Sequence, residues 1–192
     1  MVIIPPKQNT ILTVGRIGTK QKANDILLTA FAMAADKLPS WKLRLAGPIH
    51  PDFNGFIDNY FKNFPDLKRR VEFLGNVTDK EKLYAEYARA KIFALTSAGE
   101  GGSPNVVAEA LFHGCFTITS EIEAARDITD NGNCGRSFPI GDFNALAKIL
   151  LEVCPNEKIW QSSAEKSIQY AKSNFDWDLI SNRINHLLFG EL

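Results

Sequence analysis

Residues 92–114, IFALTSAGEGGSPNVVAEALFHG, run from an apolar tetrad through a glycine loop into an apolar-periodic segment that ends at Gly114. Ile92 to Leu95 has the composition of a buried strand, and Ser103-Pro104 suits a helix start, with serine as N-cap and proline as first helical residue. The stretch therefore reads as strand, loop and helix N-terminus, a unit whose free backbone amides attract anions. On that reading the amides near Asn105 and Val106 face the loop. Glu100 stands in the loop itself. Glu109 follows Asn105 by four residues, on the same helical face, with a side chain that tilts back toward the N-terminus. A carboxylate there reaches a ligand held at the helix end; the plainer reading is a solvent-facing glutamate beside a loop that is glycine-rich because it turns.

The same unit recurs along the chain. Thr10 to Val14 reads as a strand that stops at Gly15-Arg16, and Leu27, Ala30, Phe31, Ala34 and Leu38 form a helical stripe behind the potential cap Asn24-Asp25. Lys42 to Ala46 is a second strand, ending at Gly47-Pro48, and Phe53 to Phe64 a helix with aromatic residues on its inner face. Val71 to Leu74 is a third strand, ending at Gly75. Thr78 and Glu81 have the spacing of a capping box for the helix that bears Leu83, Tyr84, Tyr87 and Ala88. Phe116 to Thr119 and Gly135 to Phe138 supply two further strands, and Asp142 caps a helix through Phe143, Leu146, Leu150 and Val153. Strands alternating with helices of about three turns imply a doubly wound, Rossmann-like α/β domain with a parallel sheet covered on both faces. In such sheets ligands bind at the carboxyl ends of the strands, the edge that carries Gly15, Gly47, Gly75 and the glycine loop.

The final residues change character. Trp160, Ala164, Ile168 and Ala171 make one helical stripe, and Trp177, Ile180, Ile184 and Leu188 another, so residues 155–192 read as C-terminal helices attached to a single domain spanning 1–192. Asp176 and Asp178 between them have a spacing that could hold a metal, but Asp176 is placed as an N-cap.

Length permits a substantial core, since 192 residues with 45% hydrophobic side chains are ordinary for one larger domain. Lys plus Arg and Asp plus Glu number 22 each, which offers nothing to nucleic acid or to an anionic membrane. No apolar run approaches the roughly 18 residues of a membrane span, and the opening residues are too short an apolar segment for a signal peptide, so the expected location is cytoplasmic. Cys115, Cys134 and Cys154 are odd in number and widely spaced, a pattern for buried thiols, with neither disulfides nor zinc indicated. His113 sits where a helix C-terminus is capped by Gly114.

Arg16 stands at the first strand end, with Lys20 and Lys22 in the loop after it. A guanidinium forks onto phosphate oxygens and an ammonium adds a point charge, so the set suits a diphosphate; a solvated basic loop is the plainer alternative.

Val14-Gly15-Arg16-Ile17, Lys22 with Asp25, Phe73 through Val77, Ser103 through Ala110 and Gly114-Cys115, in this order and spacing, resemble the nucleotide-sugar domain of group 1 (family four) retaining glycosyltransferases. Asn131-Gly132, Ile140-Gly141-Asp142 and Phe175-Asp176-Trp177 extend the resemblance to the last helix. It implies the C-terminal half of a GT-B fold, binding a nucleoside-diphosphate sugar as donor substrate, with no required cofactor or metal and with retained anomeric configuration. Arg16 and Lys22 match the residues that hold the donor diphosphate, joined by Ser103, Asn105 and Val106 at the helix start. Glu109 matches the glutamate that binds the ribose hydroxyls, and Gly75, Asn76 and Val77 the backbone that faces the base. Glu100 corresponds to the family's catalytic glutamate with one residue too many before Glu109, so that Gly101 falls at the expected position. Ala23 replaces the family's common glycine, and residues 120–126 lack the double glycine often found near the donor sugar.

Because the family motifs begin close to Met1, the resemblance also implies a missing N-terminal acceptor domain, and leaves open a peripheral membrane association for a full enzyme. A non-catalytic nucleotide-sugar-binding module and half of a GT-B-type nucleotide-sugar epimerase fit the same residues. A phospho-acceptor receiver domain shares the architecture but needs acidic residues where Gly15-Arg16 stands.

Overall fold

The computed structural model describes residues 6–190. Six strands form one parallel sheet: β1 (Gln8–Val14), β2 (Lys42–Ala46), β3 (Val71–Gly75), β4 (Ala90–Leu95), β5 (Phe116–Ser120) and β6 (Gly135–Phe138), in the order β3-β2-β1-β4-β5-β6. Every adjacent pair is parallel, so each connection must cross a sheet face, and helices fill the crossings. These are α1 (Asn24–Ala34), α2 (Asn54–Asn63), α3 (Lys80–Arg89), α4 (Asn105–Phe112) and the short α5 (Ala125–Ile128); α6 (Phe143–Val153), α7 (Glu157–Asn174) and α8 (Trp177–Phe189) follow β6. The doubly wound architecture read from the sequence is thus the one observed.

Successive strand residues point to opposite faces, and the core divides accordingly. On one face Ile11, Leu43, Leu45, Ile92 and Ile118 pack with Leu27 and Phe31 of α1 and with Leu146 and Leu150 of α6. On the other, Leu12, Phe93 and Leu95 pack with Tyr87 of α3, Val107 and Leu111 of α4 and Ala171 of α7. Burial on both faces explains why β4 is continuously apolar from Ile92 to Leu95 rather than alternating. Stacked rings of Phe53, Phe56 and Tyr60 carry α2 against the first face, as its aromatic stripe implies.

Chain order fixes where a ligand can enter. The path moves outward from β1 to β3, then returns to place β4 on the other side of β1, so the loops after β1 and β4 diverge to opposite faces and leave a crevice between them. Close approach at this edge demands glycine: a Cβ at Gly47, whose φ is +145°, would lie 1.7 Å from the Gly15 carbonyl oxygen.

Several caps differ from the sequence reading. The capping box at Thr78 is not formed; Asp79 caps α3 instead, accepting from the amides of Glu81 and Lys82. Asn24 does not cap α1, because its side chain accepts from the Gly18 amide at 2.7 Å and is buried in the preceding loop. Pro104, in extended backbone, occupies the N-cap position of α4, so neither serine capping nor proline at the first helical residue is observed. Asp142 and Asp176 cap α6 and α8 as expected. The apolar stripe of α8 is present but uncovered, since no residue of that helix is buried.

Ala23 is the N-cap of α1 in the left-handed region, φ 43° and ψ 47°. A Cβ there costs roughly 1–2 kcal/mol, a penalty glycine avoids at the expense of about 0.5–1 kcal/mol of chain entropy. Ala23→Gly is therefore expected to stabilise the protein by about 0.5–1 kcal/mol. Urea denaturation checks this through a raised midpoint at unchanged slope, and a lowered midpoint would contradict it.

Candidate functional site

The loop leaving β4 donates hydrogen bonds to two backbone carbonyls of the loop leaving β1. Ala98 N donates to Gln21 O at 2.8 Å and Thr96 Oγ1 to Lys22 O at 2.9 Å. The Gln21 side chain adds a second tie: Nε2 donates to Gly99 O at 3.1 Å while Oε1 accepts from Arg16 Nη2 at 2.9 Å. From the neighbouring β5, Ser120 Oγ donates to Ser97 O. Three adjacent strand ends therefore hold one another at the crevice.

Within it, Lys22 Nζ is ion-paired with Glu100 Oε1, and Ser97 Oγ donates to the same oxygen at 2.6 Å. The two side chains are 16% and 12% exposed, so the pair is screened from bulk water on most sides. Glu100 thus presents an anion to Lys22. Arg16 is exposed, and its one side-chain bond is to Gln21, which leaves guanidinium donors directed to solvent. The first turn of α4 begins beside this loop with no side chain capping it, so the leading amides, including those of Asn105 and Val106, have no intrahelical acceptor.

A cleft of about 480 Å³ lies against α4, lined by Ser103, Asn105, Glu109, Tyr84 and Trp177 among others. Glu109 is half-buried, and its Oε2 accepts from the hydroxyl of Tyr87 at 2.8 Å. Burial, reinforced by the Glu109 charge, pushes the Tyr87 phenol far above its ordinary pKa, so it remains a neutral donor. Val77 packs in the same apolar cluster as Val14 and Val106, and Gly75 O accepts from Gly47 N at 2.8 Å, which ties the end of β3 to that of β2.

The structure thus separates the sequence candidates into groups. Lys22 and Glu100 touch, with Arg16 linked to their loop through Gln21; Ser103, Asn105 and Glu109 share the cleft; Gly75, Asn76 and Val77 line neither. Gln21, Ser97 and Tyr87 belong to the site without having been singled out for it. Gln21 is 78 residues from Gly99 and Tyr87 is 22 from Glu109, and no local pattern announces either contact. Among the described residues no group of three or more His, Cys, Asp or Glu side chains is arranged to hold a metal, and no helix is long and apolar enough to cross a membrane.

A Rossmann-like sheet in the order 3-2-1-4-5-6, with its crevice at the β1/β4 switch and helices following β6, is the architecture of a GT-B glycosyltransferase domain. The chain belongs to the family of group 1 glycosyl transferases, whose sequence profile matches residues 8–156. It is similar to the phosphatidyl-myo-inositol mannosyltransferase of Mycolicibacterium smegmatis, 23% identical over 180 residues that cover 94% of this chain and 45% of that protein. Anabaena HepE, solved in complex with UDP, has a TM-score of 0.78 at 22% identity, covering 95% of this chain and 49% of that one. The C-terminal domain of the group 1 glycosyl transferase LpcC from Francisella tularensis has a TM-score of 0.76 at 18% identity, covering 90% of this chain and 89% of that domain. The chain thus spans about half the length of the mannosyltransferase and of HepE.

Since Glu100 occupies Lys22, an external anion has to compete with a carboxylate already in place. Glu100→Gln is expected to strengthen pyrophosphate binding by about 1 kcal/mol, roughly fivefold, through removal of that competitor. Calorimetric titration measures it; unchanged or weaker binding would show that Lys22 is not the anion's contact.

Proposed function

We propose that this chain is the donor-binding half of a retaining glycosyltransferase, which takes a sugar from a nucleoside diphosphate and passes it to an acceptor held by a preceding domain. The observation that carries the reading is that Arg16 and Lys22 lie at the β1/β4 crevice, with Lys22 paired to the loop that leads into the uncapped start of α4, a place and a charge suited to a diphosphate. Side chains and amides meet the phosphate charge in this reading, without a required metal. Glu109 receives the ribose hydroxyls, and the backbone of Gly75 to Val77 faces the base. The UDP complex of HepE supports a nucleotide as the ligand class, and a chain about half as long as its relatives supports a second, acceptor-bearing domain.

A non-catalytic nucleotide-sugar-binding module is the second reading, favoured by Glu100: it stands one residue away from the family's acid position and is committed to Lys22. The two readings agree on binding and differ on transfer.

For binding, Arg16→Ala and Lys22→Ala should each weaken the diphosphate that fits best among UDP, GDP and ADP by about 1.5–3 kcal/mol, with a smaller effect on the matching monophosphate. Calorimetry distinguishes the outcomes, and equal affinity of both variants and the parent would remove the diphosphate assignment.

For transfer, the chain alone should bind donor yet form no glycosylated acceptor, because positioning of an acceptor in a closed site supplies about 7–11 kcal/mol of such a barrier. Adding the upstream half of the enzyme, fused or in trans, should raise product formation by orders of magnitude as followed by mass spectrometry. Rapid transfer by the chain alone would overturn the half-enzyme reading, and persistent inactivity of the fused protein would favour the binding module.

A further inference from the structure

We propose that Tyr87 is a positioning residue of the donor site, whose buried hydroxyl locks the Glu109 carboxylate in the orientation that receives the two ribose hydroxyls of a nucleotide. The proposal rests on the ribose reading of Glu109 and adds to it the residue that makes the geometry possible. A glutamate on an open helix face rotates freely about its terminal torsion, and a vicinal diol is best met by a carboxylate whose plane is already fixed. Here the bond from Tyr87 to Oε2, at 2.8 Å, removes that freedom. Oε1 has no hydrogen-bond donor among the described residues and is available to a ligand, as is the remaining lone pair of Oε2.

Tyr87 is itself held from several sides. It is 0% exposed, its ring packs at 5.8 Å from that of Phe93 and at 5.6 Å from that of His113, and His113 Nδ1 lies 2.7 Å from the Glu109 carbonyl oxygen. Its own carbonyl accepts from Cys115 Sγ at 3.2 Å, within reach of the Lys7 ammonium, which donates to Ala90 O at 2.8 Å and His113 O at 2.6 Å. The last turns of α3 and α4 are thereby pinned together below the tyrosine. Packing alone explains a buried aromatic ring, and phenylalanine would serve equally well. What packing does not explain is a hydroxyl directed to the one carboxylate that lines the cleft.

The test uses the 192-residue chain with UDP and GDP, each compared with its 2′,3′-dideoxy form, which lacks both ribose hydroxyls. The parent protein should prefer the ribonucleotide by about tenfold or more, since a site built to bind hydroxyls discriminates against their loss. Tyr87→Phe should cut ribonucleotide affinity by about five- to tenfold while leaving the dideoxy form within about twofold, as expected for losing the bond that orients a charged acceptor. Glu109→Gln should do the same, and the double variant should lose little more than either single one, because both act on one interaction. Phenylalanine preserves the ring stack, and melting curves of both variants should stay close to the parent. A Tyr87→Phe protein that weakens both nucleotide forms equally, or that retains full discrimination while Glu109→Gln loses it, would refute the positioning role and leave the ribose reading intact. A parent protein that does not discriminate in either base series would overturn the ribose reading and this proposal with it.

Discussion

The crevice depends on two loops satisfying one another's polar groups, with a backbone amide and a threonine hydroxyl of one bonding carbonyls of the other. Where β1 and β4 end side by side, their chains turn to opposite faces of the sheet, and the exposed amides and carbonyls have no further strand to pair with. An unpaired buried peptide group costs about as much as a lost hydrogen bond, so the loops need either water or each other. They take each other, through Ala98 to Gln21 and Thr96 to Lys22. This mutual bonding keeps the cation-bearing loop and the acid-bearing loop in contact. The Lys22–Glu100 pair follows from the backbone arrangement rather than creating it, since two charges leaving water gain little unless their geometry is already prepared.

A second consequence is that the site is not an open positive hole. Its ammonium is neutralised, its guanidinium is anchored at one nitrogen by Gln21, and the helix amides behind them remain uncapped. Such a site admits an anion by exchange, replacing one carboxylate with phosphate oxygens, so binding selectivity rests on the difference between the two. Glu109 plays a different part further along α4, where its partner is the phenol of Tyr87. Two glutamates nine positions apart are thus given different work by the groups they face.

The fold was legible because it is written in contrasts that one element carries by itself: apolar tetrads closed by glycine, and helical stripes between them. The alternation of strands with helices and the burial of β4 from Ile92 to Leu95 follow from those contrasts. Caps were less legible, because Asn24, Thr78 and Ser103 all qualify chemically and the choice between neighbours is settled by loops elsewhere; Asn24 is drawn to Gly18, and α3 is capped one residue later, by Asp79. Of the site, charge and carboxylate positions were readable from local motifs, whereas Gln21 and Tyr87 act through contacts between separate elements. Periodicity also named the stripe on α8 without saying what covers it. Trp177, Ile184, Leu187 and Leu188 remain exposed, so the stripe forms no part of the core among the described residues.

That same uncovered helix gives the protein an optical handle. Of its three tryptophans, Trp41 is 3% exposed and Trp160 lies under the Lys91 ammonium, 3.7 Å from its ring centre, whereas Trp177 is 76% exposed on the wall of the Glu109 cleft. An aqueous quencher of fluorescence meets chiefly that one indole, and a molecule seated in the cleft shields it, so occupancy can be followed by intrinsic emission without a label.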